Sequence, residues 1–286
     1  RARCLRAWPG CLLLLFLLVS CENDFDEFKD TDQRYVSFTL NTDGIFDNVL
    51  KPTNNGYALG TVKELSSDYR LRINIYCYDA EDKLISSKTI FNDYNNDEKP
   101  IVDIRHLNKD NSYRFVFIVD VVRYNSDIDF YEIWYQLCYD DLSEFYAVSF
   151  IRNEVEETNI LAHNSMTLIP ENQMVEVDLN VLTYNGYLIL KNVDTNSTLS
   201  GYVGYYQSFY INNFDGIKRT PNAFEYVNPI DETIIMPITV PILDNEIPIS
   251  LETGKVRKDF HISAQGRPFV TTIDCKTLMI VNEYYE

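Results

Sequence analysis

From Arg34 onward the apolar residues recur at every second position, the period of a strand with one buried face. In 69–79, Leu71, Ile73, Ile75 and Cys77 fall on one side, and Arg70, Arg72, Asn74, Tyr76 and Tyr78 on the other. The acidic turn Asp79-Ala80-Glu81-Asp82-Lys83 follows, and 84–91 returns as a second strand, which predicts a hairpin. In 112–122, Phe115, Phe117, Val119 and Val121 share one face while Val116 and Ile118 share the other with Arg114 and Asp120. Apolar residues on both faces predict a central strand covered on both sides.

Further strands are expected at 35–40 and 132–139. Leu142, Phe145 and Tyr146 sit at helical as well as strand spacing, so 140–150 is ambiguous. The polar stretch 153–164, with Glu154, Glu156 and Glu157, breaks the pattern and is expected to divide two domains. Beyond it, Val175, Val177, Leu179 and Val181 alternate with Glu176, Asp178 and Asn180. Asn185-Gly186 reads as a turn before a strand at 187–193. Pro237 interrupts the β-forming run 233–240, which predicts an edge strand or a bulge. Strands at 257–264, 269–273 and 278–284 complete the series. The fold class expected is all-β: two consecutive Greek-key β-sandwiches, at 34–160 and 161–286.

The segment ahead of this pattern has a different character. Arg1, Arg3 and Arg6 precede the apolar run from Cys11 to Val19, which is too short to span a bilayer. Leu18-Val19-Ser20-Cys21 reads as a lipobox, with cleavage after Ser20 and lipid attached to Cys21. Residues 1–20 are thus expected to be a lipoprotein signal peptide and 21–33 an acidic tether. Glu22, Asp24, Asp26 and Glu27 follow directly, a run that resembles the surface-export signal of Bacteroidetes outer-membrane lipoproteins. The expected location is the outer membrane, lipid-anchored and facing outward.

Charge excludes one class of partner. The net charge is −18 and becomes −21 once the three leader arginines are gone. A chain this acidic is repelled by phosphate backbones, so no nucleic-acid partner is expected. Of six cysteines, Cys77, Cys138 and Cys275 remain after the leader and Cys21 are set aside. That odd number excludes a complete disulfide framework, and Cys77 sits on an apolar strand face as a buried hydrophobe.

Catalytic and metal chemistry find no support. His106, His163 and His261 have no metal-ligand spacing, and there is no nucleophile elbow or phosphate-cradling loop. Asp93, Asn95 and Asp97 begin like a calcium loop, but Glu98 stands where Gly is needed and Ile104 where a bidentate Glu is needed. No catalytic residue, metal or cofactor is expected, and the protein is not expected to be an enzyme. Two aromatic groups remain, Tyr202, Tyr205, Tyr206, Phe209 and Tyr210, and Phe130, Tyr131, Trp134, Tyr135 and Tyr139. Exposed rings among them, Trp134, Tyr135, Tyr205 and Tyr206 foremost, would stack on sugar faces, an alternative function as a glycan-binding surface protein of a polysaccharide-uptake system.

Three stretches carry a family resemblance. Residues 69–84 resemble the alternating strand, acidic turn and Lys-Leu return of the Bacteroidetes fimbrillin superfamily. Residues 107–119 resemble that family's later strand entered through a turn and Tyr, and 175–179 with 187–190 resemble the opening of its second domain. Val181–Asn185 lacks the basic residue the family pattern has there. The nearest match is to fimbrial anchor or minor subunits. The resemblance implies transthyretin-like sandwiches and assembly with fimbrial subunits by β-strand addition. It also implies that polymerising relatives lose the leader and first strand by cleavage after a basic residue, whereas an anchor keeps both; Arg34 precedes the expected first strand at 35–40, and Lys51, Lys63 and Arg70 follow it. The terminal stretch 278–285 is read as the last strand of the second sandwich.

Overall fold

The fold follows from a computed structural model, which describes residues 32–42, 49–53, 56–60, 68–93, 99–133, 135–140, 142, 146–149, 161–210, 218–241, 246–263 and 266–285. Among these the regular structure is β-strand, as the period-two pattern requires. The leader, Cys21 and the acidic residues behind it lie outside the described residues, as do residues 94–98 of the calcium-like stretch.

A first core lies between two sheets. One is three-stranded, with β1 (Gln33–Asn41) between β6 (Ile101–Asn108) and β12 (Gln173–Asp178). The other runs β13 (Asn180–Val181), β11 (Leu161–Leu168), β7 (Tyr113–Asn125), β4 (Tyr69–Tyr78), β5 (Leu84–Asp93), and β8 (Phe130–Glu132) adds to the end of β7. Val36, Phe38 and Leu40 from β1 meet Leu71, Ile73, Ile75 and Cys77 from β4 and Phe115, Phe117, Val119 and Val121 from β7. The predicted hairpin is therefore β4–β5.

The second face of this sheet departs from expectation on β4. Alternation predicts one buried face, opposite Arg70, Arg72, Asn74, Tyr76 and Tyr78, yet β4 is buried on both sides from Leu71 onward. Tyr76, Tyr78, Val116 and Ile118 are covered by Leu137, Leu142, Leu161 and Leu182. On the same strand pair, also buried, Arg72 donates two hydrogen bonds to Asp120, at 2.8 and 2.7 Å. The central position of β7, covered on both faces, is as its sequence predicts.

A second core lies between two further sheets. One runs β17 (Thr233–Pro241), β14 (Thr183–Lys191), β20 (Phe269–Asp274), β21 (Met279–Tyr285). The other runs β19 (Val256–Ser263), β18 (Glu246–Thr253), β15 (Thr198–Tyr210), β10 (Tyr146–Ser149), β9 (Tyr135–Cys138), with β16 (Lys218–Val227) also pairing β15. Leu188, Leu190, Leu199, Val203, Ile249, Leu251, Phe269 and Ile273 fill the space between. Pro237 lies on β17, an edge strand as predicted, opposite Tyr187.

Two segments pack differently from the sequence expectation. The division after residue 160 does not coincide with the packing, because β11, β12 and β13 pair within the sheets of the first core and Ala162, Val177 and Leu179 fill it. The stretch 175–179, likened above to the opening of a second domain, is thus a partner of β1. Asn185-Gly186 is not a turn: both residues lie inside the unbroken strand β14. Glycine is needed there for a different reason, since a Cβ on Gly186 would run into the ring of Phe269.

The two cores are joined by strand pairing and by a hairpin. The β9–β10 hairpin pairs through Tyr146–Val148 with 208–210 of β15, so one sheet draws strands from both halves of the chain. The hairpin of β2 (Val49–Thr53) and β3 (Gly56–Gly60) reaches across separately. Val49 belongs to the first core, while Leu50 packs with Tyr187, Ile189 and Val270 on the outer face of the β14–β20 sheet.

Candidate functional site

The seat of β1 is the feature with the clearest capacity to act. β1 runs parallel to β12, with Phe38 opposite Val175 and Leu40 opposite Val177. It runs antiparallel to β6, with Val36 opposite Ile104 and Phe38 opposite Val102. Neither β6 nor β12 has another partner on the described sheet, so β1 alone closes the gap between two otherwise unpaired edges. Without it, two rows of backbone N–H and C=O groups would face each other across an empty slot.

Side chains make the seat specific. Val36, Phe38 and Leu40 are fully buried. The Phe38 ring lies 4.8 Å from that of Phe115 and 4.9 Å from that of Phe117. At roughly 1.5–3 kcal/mol per fully buried apolar side chain, these three contribute about 5–9 kcal/mol that any replacement strand has to match. On the outer face Ser37 donates to Asp103 at 2.7 Å, and Arg105 holds the same carboxylate at 2.9 Å. Those two donors hold Asp103 below the usual carboxylate range. The ends are tied as well: Asp32 pairs with Lys109 at 2.6 Å, and Asn41 donates to Asp178 at 3.0 Å. Arg34, placed ahead of the first strand by sequence reading, lies within it, opposite Leu107.

The aromatic candidates divide. Trp134 lies outside the described residues. Tyr135 is on β9 opposite Ser149, and Tyr205 and Tyr206 are on β15 opposite Thr220 and Arg219. Tertiary pairing thus brings Tyr135 into one sheet with Tyr205 and Tyr206, with β10 between their strands, while Phe130 and Tyr131 lie on β8 in the sheet of β7. Tyr139 is structural: it stacks on Tyr76 at 4.4 Å, and its carbonyl accepts the Tyr78 hydroxyl at 2.7 Å.

A ring platform that sequence reading did not assemble lies at the rim of the β4–β7 sheet. Phe91 and Tyr131 stack at 3.8 Å and 9°, with Tyr124 next to Tyr131 at 5.0 Å and the Arg70 guanidinium over Tyr124. Tyr124 donates to Asp129 at 2.9 Å, which raises the phenol's pKa. Phe91 is 40% exposed and Phe130 52%. Period-two reading puts Phe91 on a strand face but says nothing of which strand, here β8, lies near it.

The remaining reactive groups are apart or shielded. His106, His163 and His261 sit on β6, β11 and β19, and among the described residues no His, Cys, Asp and Glu cluster could hold a metal ion. Burial pushes the Cys77 thiol up to about 12 and the Cys275 thiol up to about 11. Among the described residues no helix is long and apolar enough to cross a membrane.

No family model matches the sequence, and no curated protein matches it significantly. Its fold, however, is shared with solved structures. A candidate polysaccharide-binding protein from Bacteroides thetaiotaomicron superposes with a TM-score of 0.50 at 9% identity, over 89% of this chain and 95% of that one. A candidate adhesin from the same organism gives 0.50 at 10% identity, over 88% and 94%. The fimbrial anchor protein Mfa2 from Porphyromonas gingivalis gives 0.49 at 12% identity, over 89% and 97%. The all-β sandwich fold implied by the fimbrillin-superfamily resemblance is the fold observed.

Proposed function

We propose that the protein is a surface-exposed outer-membrane lipoprotein that serves as a fimbrial anchor or minor fimbrial subunit. It is attached through lipid on Cys21 and assembles with fimbrial subunits by β-strand addition. The observation that carries this reading is the seat of β1. An N-terminal strand fills a slot between two edges that have no other described partner, so exchanging it for a partner's strand restores every backbone bond it made. The lipobox supplies attachment, and Glu22, Asp24, Asp26 and Glu27 supply the outward address. A shared fold with a candidate adhesin fits the same role. The work done is mechanical contact, not catalysis.

The test is the chemical state of the mature N-terminus in a lipoprotein-processing host. Mass spectrometry is expected to find an acyl-bearing residue 21 with β1 retained, and Cys21→Ala to abolish acyl labelling. An N-terminus beyond Leu40 on the surface form would assign the protein to polymerising subunits. A processed molecule with no acyl group would overturn the anchor reading.

The Phe91–Tyr131 stack favours a second reading, a glycan-binding surface protein of a polysaccharide-uptake system. Flat apolar rings bordered by Arg70, Asp129 and the Tyr124 hydroxyl complement a sugar face and its hydroxyls. One fold neighbour is described as a candidate polysaccharide binder. Glycan-array binding lost on Tyr131→Ala or Trp134→Ala would establish this reading, and no binding by the intact protein would remove it.

A further inference from the structure

Val49 and Leu50 are adjacent residues of β2, yet they are buried in different places. Consecutive side chains of a strand point to opposite faces, and here each face belongs to a different half of the molecule. Val49 packs in the first core with Val36, Phe38 and Leu40. Leu50 packs on the outer face of the β14–β20 sheet with Tyr187, Ile189 and Val270. Both are fully buried.

Polar contacts fix Leu50 in place. Its backbone N–H donates to Oδ1 of Asn185, and its carbonyl accepts from Nδ2 of the same amide, each at 3.3 Å. The Tyr187 hydroxyl donates to that carbonyl at 3.2 Å, and the Tyr57 ring lies 4.6 Å from the Tyr187 ring. An amide that both accepts from and donates to one residue's backbone substitutes for a ladder partner and tolerates little displacement.

We propose that the β2–β3 hairpin is a strap that couples the seating of β1 in the first sandwich to the docking of Leu50 on the second. β1 ends at Asn41 and β2 begins at Val49, so the two strands are tied by a short stretch of chain and share one core. Shifting β1 disturbs the packing around Val49, and Val49 cannot move without drawing Leu50 off Asn185. Coupling of this kind is reciprocal: loosening either end loosens the other by the same factor. The second sandwich thereby senses whether the first holds its own β1. The coupling stands on this packing and does not require that a partner strand ever replaces β1.

Amide hydrogen exchange on the full chain tests it. Leu50→Ala and the milder Asn185→Ala are both expected to raise exchange at Val36–Leu40 about tenfold or more, within the usual range of coupling between sites. Phe38→Ala is expected to raise exchange at the Leu50 amide by a similar factor. Leu251→Ala, in the second core away from the strap, serves as the control and is expected to leave β1 exchange unchanged. The proposal is overturned if the Asn185→Ala response stays within β2, β3 and β14. It is equally overturned if Leu251→Ala speeds β1 exchange as much as the strap variants do.

Discussion

The side-chain amide of Asn185 pairs with both backbone groups of Leu50, 135 positions away in sequence, at 3.3 Å for each bond. Both residues are buried, so neither group has water to fall back on. In Asn185→Ala the Leu50 carbonyl keeps the Tyr187 hydroxyl, while its N–H loses the Asn185 acceptor. The expected cost is about 1–3 kcal/mol, the penalty for a buried unsatisfied group, read as a lower urea midpoint.

Gly186 tests the close approach of two elements. The ring of Phe269 occupies the space a Cβ would need. Gly186→Ala is expected to destabilise by about 1–3 kcal/mol through overpacking. The double variant Gly186→Ala/Phe269→Leu should recover part of that loss, and a double-mutant cycle on thermal melts measures the recovery.

The buried fork of Arg72 on Asp120 makes an asymmetric prediction. Removing one partner leaves an uncompensated buried charge, so Arg72→Met or Asp120→Leu should each cost about 3–5 kcal/mol. Replacing both together should cost far less than the sum. Denaturant titration of the three variants checks the order.

His163 gives a pH dependence with a definite sign. Burial, with a smaller contribution from Arg114, pushes its imidazole down to about 4. A base held neutral in the fold takes up its proton more readily when unfolded, so stability falls as pH drops from about 6.5 to 4. The loss is on the order of 2–3 kcal/mol at the acid end. His163→Gln should flatten the slope in that window, measured as the difference between the two stability–pH curves.

Thiol reactivity should follow burial. With Cys77 held up at about 12 and Cys275 at about 11, neither is expected to alkylate in the native state at pH 8. The half-buried Cys138 should label first, and all three should label in denaturant. Peptide mapping after timed iodoacetamide treatment reports the order.

Periodicity was a good guide wherever one sheet face decides the residue choice. The β4–β5 hairpin, the two-sided burial of β7 and the buried thiol of Cys77 are legible because alternation states which side chains avoid water, and the edge position of β17 because Pro237 cannot donate to a ladder. The seat of β1 is half legible: Val36, Phe38 and Leu40 announce a strand, but nothing local names β12 as its parallel partner. Signals that depend on distant chain misled. Asn185-Gly186 has turn chemistry, yet its amide is used on Leu50 and its missing Cβ on Phe269. Arg72 looks like a solvent-facing residue until Asp120 and the cover over it are in place.

Strand content, the acidic surface and the expected lipid attachment can be read from the chain because each depends on residues close together in sequence. Which strands neighbour one another, where the first core ends and how Val49 and Leu50 divide between the first core and the outer face of the β14–β20 sheet cannot be read that way. Those are settled by pairings across tens to more than a hundred positions, where backbone hydrogen bonds are the same for any sequence and choice of partner rests on how side chains fit in three dimensions.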